Sequence, residues 1–205
     1  METSTAISPV HDAYDSHGTA TGVTNAKLGM WIFLSSEFLL FGSFISAYLL
    51  YKGRSPSGPK PADVYDIPFT STTSFILLMS SLTMVLALAA IQRGDHRRFR
   101  IWIMATALFG LTFIGGQVYE FTNFFREHHL ALHTNVFGST FFVLTGLHGA
   151  HVTAGIIWLL SLFGLSSQGR LATRDAEKVE IAGLYWHFVD VVWIVIFTVI
   201  YLVPK

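Results

Sequence analysis

The side chains in this sequence able to do acid–base or metal chemistry sit among residues that avoid charge. They are Glu37, Glu120, His148, His151, Glu180, His187 and Asp190, with Gln117 beside Glu120 as a neutral hydrogen-bonding group. A carboxylic acid next to an imidazole can pass a proton. Glutamate, aspartate and histidine together also make a mixed oxygen–nitrogen donor set for a metal ion. Spacing sorts these residues further. His187 and Asp190 are i,i+3 neighbours and Glu180 lies one heptad before His187, so on a helix the three share one stripe. Gln117, Glu120 and Glu127 share another. The chain has no cysteine, which excludes disulfides, thiolate metal sites and a cysteine nucleophile.

The elements that must hold these groups follow from composition. The chain has 205 residues, 52% apolar and 13% charged, against about 25% charged in an ordinary soluble domain. Thirteen basic residues balance thirteen acidic ones, which argues against a nucleic-acid partner. Five stretches reach the roughly 20 apolar residues that a bilayer crossing needs: Leu28–Tyr51, Phe69–Ile91, Ile101–Phe125, Asn135–Phe163 and Val179–Val203. A bilayer core offers the backbone no water, so these are expected as helices. The expected fold is an all-α integral membrane bundle of five transmembrane helices. Its breakers are Gly53 to Pro61, Arg93 to Arg100 and Ser166 to Lys178, and no internal repeat is evident. Residues 1–26 read as a polar cytoplasmic tail and 27–205 as the transmembrane domain. The tail has no apolar run of the signal-peptide kind, so the first span is expected to direct insertion, with Thr24-Asn25 starting its helix. Eight Lys and Arg, among them Arg93, Arg97, Arg98 and Arg100, fall on the N-terminal side and five on the other. By the positive-inside rule the N-terminus is cytoplasmic and the C-terminus outside.

Depth along the spans brings several polar groups into one layer. At 1.5 Å per residue, Glu37 lies about 4 Å from its helix midpoint, and His148, His151 and Asp190 lie within about 3 Å of theirs. Glu120 sits roughly 10 Å toward the outer side. Glu37, His148, His151 and the His187/Asp190 pair thus share a layer, and four of those five are expected to meet if the first, fourth and fifth helices adjoin. Gly146, Ala150 and Ala154 form a small-residue row that would admit another helix. Intramembrane polar groups commonly serve as interhelical hydrogen bonds, and that is the first expectation for His148 and His151. His187 and Asp190 are expected as a structural pair rather than a catalytic dyad. Glu37 has no basic residue at its depth other than histidines, which leaves a proton-linked or subunit-contact role open beside a structural one. Ser35, Ser36, Ser80 and Ser81 are expected to bond backbone carbonyls, Phe33, Phe41, Phe44 and Tyr48 to pack, and Trp186 and Trp193 to be buried. A metal site from Glu37, His148, His151 and Asp190 is chemically feasible. An independent proton-coupled transporter using Glu37 and Asp190 is a further alternative, but the expected halves and broken helices are missing. His129-x-x-x-His133 with His148-x-x-His151 matches the histidine boxes of membrane di-iron enzymes only in part.

Two long segments carry a resemblance. Phe137-Gly138-Ser139-Thr140-Phe141-Phe142-Val143-Leu144-Thr145-Gly146-Leu147-His148-Gly149-Ala150-His151-Val152 closely resembles the signature helix of subunit III of the haem–copper oxidases. Tyr185-Trp186-His187-Phe188-Val189-Asp190-Val191-Val192-Trp193 resembles that family's last helix. Ser36-Glu37 and Gln117-Val118-Tyr119-Glu120-Phe121 match in the right order, and the likeness covers about residues 27–203. The resemblance implies a subunit without catalytic residues, haem, copper or other metal of its own. In that family haem and copper belong to subunits I and II; subunit III packs on subunit I, holds phospholipid and helps sustain proton uptake. It places Glu37 at the family's buried glutamate and Asp190 at its last-helix aspartate, with Glu120, His148, His151, Glu180 and His187 also on family positions. It implies a respiratory complex in a bacterial cell membrane. Five spans resemble the shorter bacterial form, which lacks the first two helices of the mitochondrial one. Gly138 to Phe142 reads more like the cytochrome c type than the quinol-oxidising alternative.

Overall fold

The computed structural model describes residues 24–51, 67–127 and 136–202. Among them five helices are long and apolar enough to cross a membrane: α1 (Asn25–Tyr51), α2 (Ile67–Gln92), α3 (His96–Glu127), α4 (Val136–Ser167) and α5 (Ala176–Phe197). A short 3-10 turn at Thr173–Asp175 leads into α5, and a π turn at Thr198–Leu202 ends it. The chain is thus the five-helix, all-α membrane protein that hydropathy indicates. Residues 1–23, Gly53 to Pro61, His129 and His133 lie outside the described residues.

Capping chemistry, rather than hydropathy, sets the helix ends. α2 closes in a Schellman motif: Gly94 takes φ +76°, its N–H reaches the Ile91 carbonyl at 3.0 Å, and Asp95 N–H reaches Ala90 at 2.9 Å. The Asp95 carboxylate then accepts from Arg98 N–H at 2.9 Å and starts α3. The breaker expected over Arg93 to Arg100 therefore shrinks to three residues, and Arg97, Arg98 and Arg100 are helical. Gly169, at φ +69°, closes α4 the same way, with its N–H to Ser166 and Arg170 N–H to Leu165. The α4 helix accordingly runs past Phe163 to Ser167. Thr24 caps α1, its Oγ1 accepting from Lys27 N–H at 3.4 Å.

The helices α2, α3, α4 and α5 pack in a ring, α2 against α3, α3 against α4, α4 against α5 and α5 against α2. Trp186 of α5 fills the middle. Its indole lies where a Cβ on Gly110 of α3 would come within 2.7 Å and one on Gly155 of α4 within 2.8 Å. Its Nε1 donates to Ser80 Oγ of α2 at 2.9 Å. Those two glycines exist because the indole occupies the space their side chains would need. Helix α1 stands outside the ring against α4 and α5. It fully buries only Leu34, Phe41 and Tyr48, one residue per heptad, with Met30, Phe44 and Ile45 partly buried beside them. Two polar ties at one end supplement that narrow stripe: Lys27 Nζ to Glu180 at 2.9 Å, and the Thr24 hydroxyl to Glu177.

Candidate functional site

Glu37 meets an imidazole at mid-span. Its Oε2 lies 3.1 Å from His151 Nε2, between the buried Leu34 and Phe41 of the α1 stripe. His151 Nδ1 lies 2.8 Å from the Leu147 carbonyl of its own helix. A carbonyl only accepts, so Nδ1 carries a proton and Nε2 is the nitrogen left to face the acid. One proton then serves the contact, on the acid or on the ring, and the pair is neutral overall in either form. The Tyr185 hydroxyl donates to the His151 carbonyl at 3.0 Å, and the Phe41 ring packs edge-on to His151 at 5.1 Å. The result is an acid–base pair joining the peripheral helix to the ring and shielded by aromatics.

The other polar residues do not join it. His148 is fully buried one turn from His151, but on an aromatic face: it stacks on Trp193 at 4.8 Å and meets Phe113 edge-on at 5.7 Å. Neither of its ring nitrogens has a hydrogen-bond partner among the described residues. His187 Nδ1 lies 2.6 Å from Ser81 Oγ of α2. Asp190 is buried, and neither carboxylate oxygen has a hydrogen-bond partner among the described residues; the Ser81 hydroxyl is its polar neighbour but falls short of a bond. The expected His187–Asp190 pair is therefore replaced by a His187–Ser81 bond across α5 and α2. Glu180, expected on the same stripe, turns instead to Lys27 of α1. Of the five groups expected in one layer, adjoining helices bring together only Glu37 and His151, because His148 and Asp190 project to other sides of their helices and His187 turns to Ser81 of α2. Among the described residues no three His, Asp or Glu converge as metal ligands.

A second polar centre lies toward the C-terminal end of α3. Glu120 Oε1 accepts from Thr70 of α2 at 2.8 Å, and its Oε2 accepts from the Tyr201 hydroxyl at 3.2 Å. Tyr201 reaches it from the π turn. Gln117 Nε2 donates to the Thr145 carbonyl of α4 at 2.7 Å, and the close passage requires Gly149, whose Cβ would stand 2.6 Å from Gln117 Oε1. Glu127 has no described side chain.

The partners that sequence reasoning missed are mainly the hydroxyls of α2. Ser35 and Ser36 do bond carbonyls of their own helix, at 2.8 and 2.7 Å. Ser74 and Ser80 do so too, but each also accepts an indole N–H, Ser74 from Trp193 at 2.8 Å and Ser80 from Trp186. Ser81 departs from the expectation altogether. The signal was present: Thr70, Ser74, Ser80, Ser81 and Thr83 recur at near-helical spacing, a polar stripe on an apolar span. The small-residue row Gly146, Ala150 and Ala154 meets no helix of this chain among the described residues. Ala150 and Ala154 are exposed, and a Cβ on Gly146 would meet nothing within 4 Å, so inside this chain the close contacts fall on Gly149 and Gly155.

The family model for cytochrome c oxidase subunit III matches residues 9–204. Cytochrome c oxidase subunit 3 of Alkalihalophilus pseudofirmus is 39% identical over 178 residues, covering 87% of this chain and 86% of the relative. Quinol oxidase subunit 3 of Bacillus subtilis is also 39% identical, over 175 residues and 85% of each chain. Cytochrome c oxidase subunit 3 of Thermostichus vulcanus is 37% identical over 199 residues, 93% of this chain and 97% of the relative.

Proposed function

The chain belongs to the cytochrome c oxidase subunit III family, and on that footing we propose that it is a non-catalytic core subunit of a proton-translocating terminal oxidase. The match over residues 9–204 carries this reading. The chain packs mainly on subunit I and also meets subunit II, which hold the haem and copper. It steadies them, keeps phospholipid against its surface and sustains proton uptake. It lies in a bacterial cell membrane with its N-terminus cytoplasmic, residues 1–26 forming the tail and 27–205 the membrane domain. The way its polar groups are used supports a structural role. Glu37, Gln117, Glu120, Glu180 and His187 each bond a different helix, as subunit-stabilising groups in a membrane would. His148 and Asp190, buried with no such partner among the described residues, are the two we assign a role beyond holding this chain together.

Cytochrome c is the proposed electron donor, in line with the Gly138 to Phe142 segment. Quinol is the second reading, favoured by a quinol oxidase relative that is as similar as the cytochrome c oxidase one. The test is purification of the chain from its native membrane in mild detergent. A haem-bearing larger subunit is expected to accompany it and the preparation to consume oxygen with reduced cytochrome c. Oxygen uptake with quinol alone would move the donor to the second reading. Stoichiometric metal on the separated chain, or a stable haem-free monomer in the membrane, would overturn the function.

A further inference from the structure

We propose that the acidic stretch of the chain's own N-terminal tail, Asp12 to Asp15, docks on the arginine face formed by the α2–α3 and α4–α5 loops. The two loops meet at this end of the bundle, where a Cβ on Gly94 would stand 3.6 Å from Thr173 Oγ1. Arg93, Arg97, Arg170 and Arg174, all exposed, belong to these loops and the first turn of α3. Helix α1 begins at the same end, since the Thr24 hydroxyl meets Glu177 and Lys27 meets Glu180 at the start of α5. The tail therefore joins the bundle beside the arginines.

Charge accounting leaves those arginines without an acid. Asp95 holds Arg98 at 3.2 Å, Asp175 holds Lys178 at 2.8 Å, Glu180 holds Lys27 at 2.9 Å, and Glu177 accepts from Thr24. Every described acid at this end is thus engaged, and Arg93, Arg97, Arg170 and Arg174 form no ion pair among the described residues. Helix electrostatics sharpens the imbalance. Arg97 opens α3 with Arg98 and Arg100 close behind and no acid in the first turn, although a helix N-terminus favours negative charge. The positive-inside rule accounts for basic residues on this side, but it does not call for them at a helix end that repels them. Residues 1–23 contain Glu2, Asp12 and Asp15 and no lysine or arginine. The complementary charge therefore sits on the stretch that leads into Thr24. Asp15 is nine residues from Thr24, a span of up to about 30 Å. Crossing α5 to the α2–α3 loop takes about 20 Å at interhelix distances of roughly 8–10 Å. A tether of that length gives the acids an effective concentration on the order of millimolar. Exposed Arg–carboxylate pairs too weak to join separate molecules suffice at that concentration.

The chain has no cysteine, so a pair introduced into it reads the contact as an intrachain disulfide. Ala13→Cys lies between the two aspartates, and Gln92→Cys is exposed beside Arg93. The complex carrying both is purified in mild detergent and oxidised gently, and the cross-link is timed by mass spectrometry. Each rate is normalised to the reactivity of the same thiols with iodoacetamide. Asp12→Asn with Asp15→Asn should slow the cross-link about tenfold, as should Arg93→Gln with Arg97→Gln, and high salt should slow the parent pair by a similar factor. All four substitutions together should slow it no further than either pair alone. An unchanged rate in either neutralised chain, or slowing that adds across the two, overturns the contact. The same rates are taken in nanodiscs of phosphatidylcholine and of phosphatidylglycerol. A cross-link lost in phosphatidylglycerol gives the arginines to lipid headgroups. Loss of accompanying subunits from the Arg93/Arg97 variant, with its cross-link intact, gives them to a partner. Either outcome overturns the tail as their occupant. The cross-link is read within one chain, so failure of a haem-bearing subunit to co-purify bears on the oxidase reading alone.

Discussion

The Glu37–His151 contact should be worth a measurable fraction of what holds α1 to the other helices. Its four-member cycle is Glu37→Leu, His151→Leu, the double variant and the parent. In Glu37→Leu the imidazole keeps its Leu147 bond and loses the acid, so Nε2 faces a leucine. Interhelical hydrogen bonds in membranes average about 0.6 kcal/mol and reach about 1.7. This one belongs near the upper value, because it shares a proton between an acid and an imidazole and the two side chains are only 14% and 16% exposed. Expected coupling is therefore about 1–1.7 kcal/mol, or roughly five- to twentyfold in equilibrium constant. Denaturant unfolding of the purified complex in mild detergent, followed by tryptophan fluorescence, reads it. Glu37→Gln should keep most of the coupling, since an amide N–H can donate to Nε2. A coupling within the ~0.3–0.5 kcal/mol scatter of independent sites would show that the pair does not fasten α1. A Glu37→Gln as damaging as Glu37→Leu would show that the charge, and not the shared hydrogen, is what matters.

Trp186→Ala should cost about 3–5 kcal/mol in the same assay, since it empties the centre of the ring and strands Ser80; a loss below about 1 kcal/mol would place the keystone elsewhere. Gly149→Ala should cost about 1–3 kcal/mol by pushing Gln117 off the Thr145 carbonyl, whereas Gly146→Ala, with nothing within 4 Å, should leave the chain's own thermal unfolding unchanged. Asp190→Asn should shift stability by less than about 1 kcal/mol in the same assay, because among the described residues neither carboxylate oxygen has a hydrogen-bond partner to lose; a large loss would show that the carboxylate itself holds the bundle together. Glu120→Ala should destabilise by about 1–3 kcal/mol through loss of the hydrogen bonds it accepts from the Thr70 and Tyr201 hydroxyls, measured by the same unfolding curve.

What could be read from the sequence alone follows the strength of each physical signal. A bilayer penalises every unbonded backbone group, so five apolar runs of sufficient length leave one architecture, and the five helices are where hydropathy puts them. The helix ends differ from the hydropathic spans by up to six residues, because hydropathy marks where lipid begins, while Asp95, Gly94 and Gly169 mark where the helix does. The burial of Trp186 and Trp193 was legible from depth. Their partners Ser80 and Ser74 were not, because a hydroxyl satisfied by its own helix gives no hint that its lone pairs also accept from another.

The harder error concerns direction around a helix. Shared depth made Glu37, His148, His151 and Asp190 look like one constellation, and a shared stripe joined Glu180 to His187 and Asp190. Depth is one coordinate of two, and spacing along one helix says nothing of which neighbour stands opposite. His148 and His151 are three residues apart, yet one faces Trp193 in the ring and the other Glu37 on the peripheral helix. Gly149 and Gly155 leave the space on α4 that Gln117 and Trp186 occupy, so side chains there would force α4 to turn or withdraw. In this bundle the residues with no side chain decide where the acid and the imidazole meet.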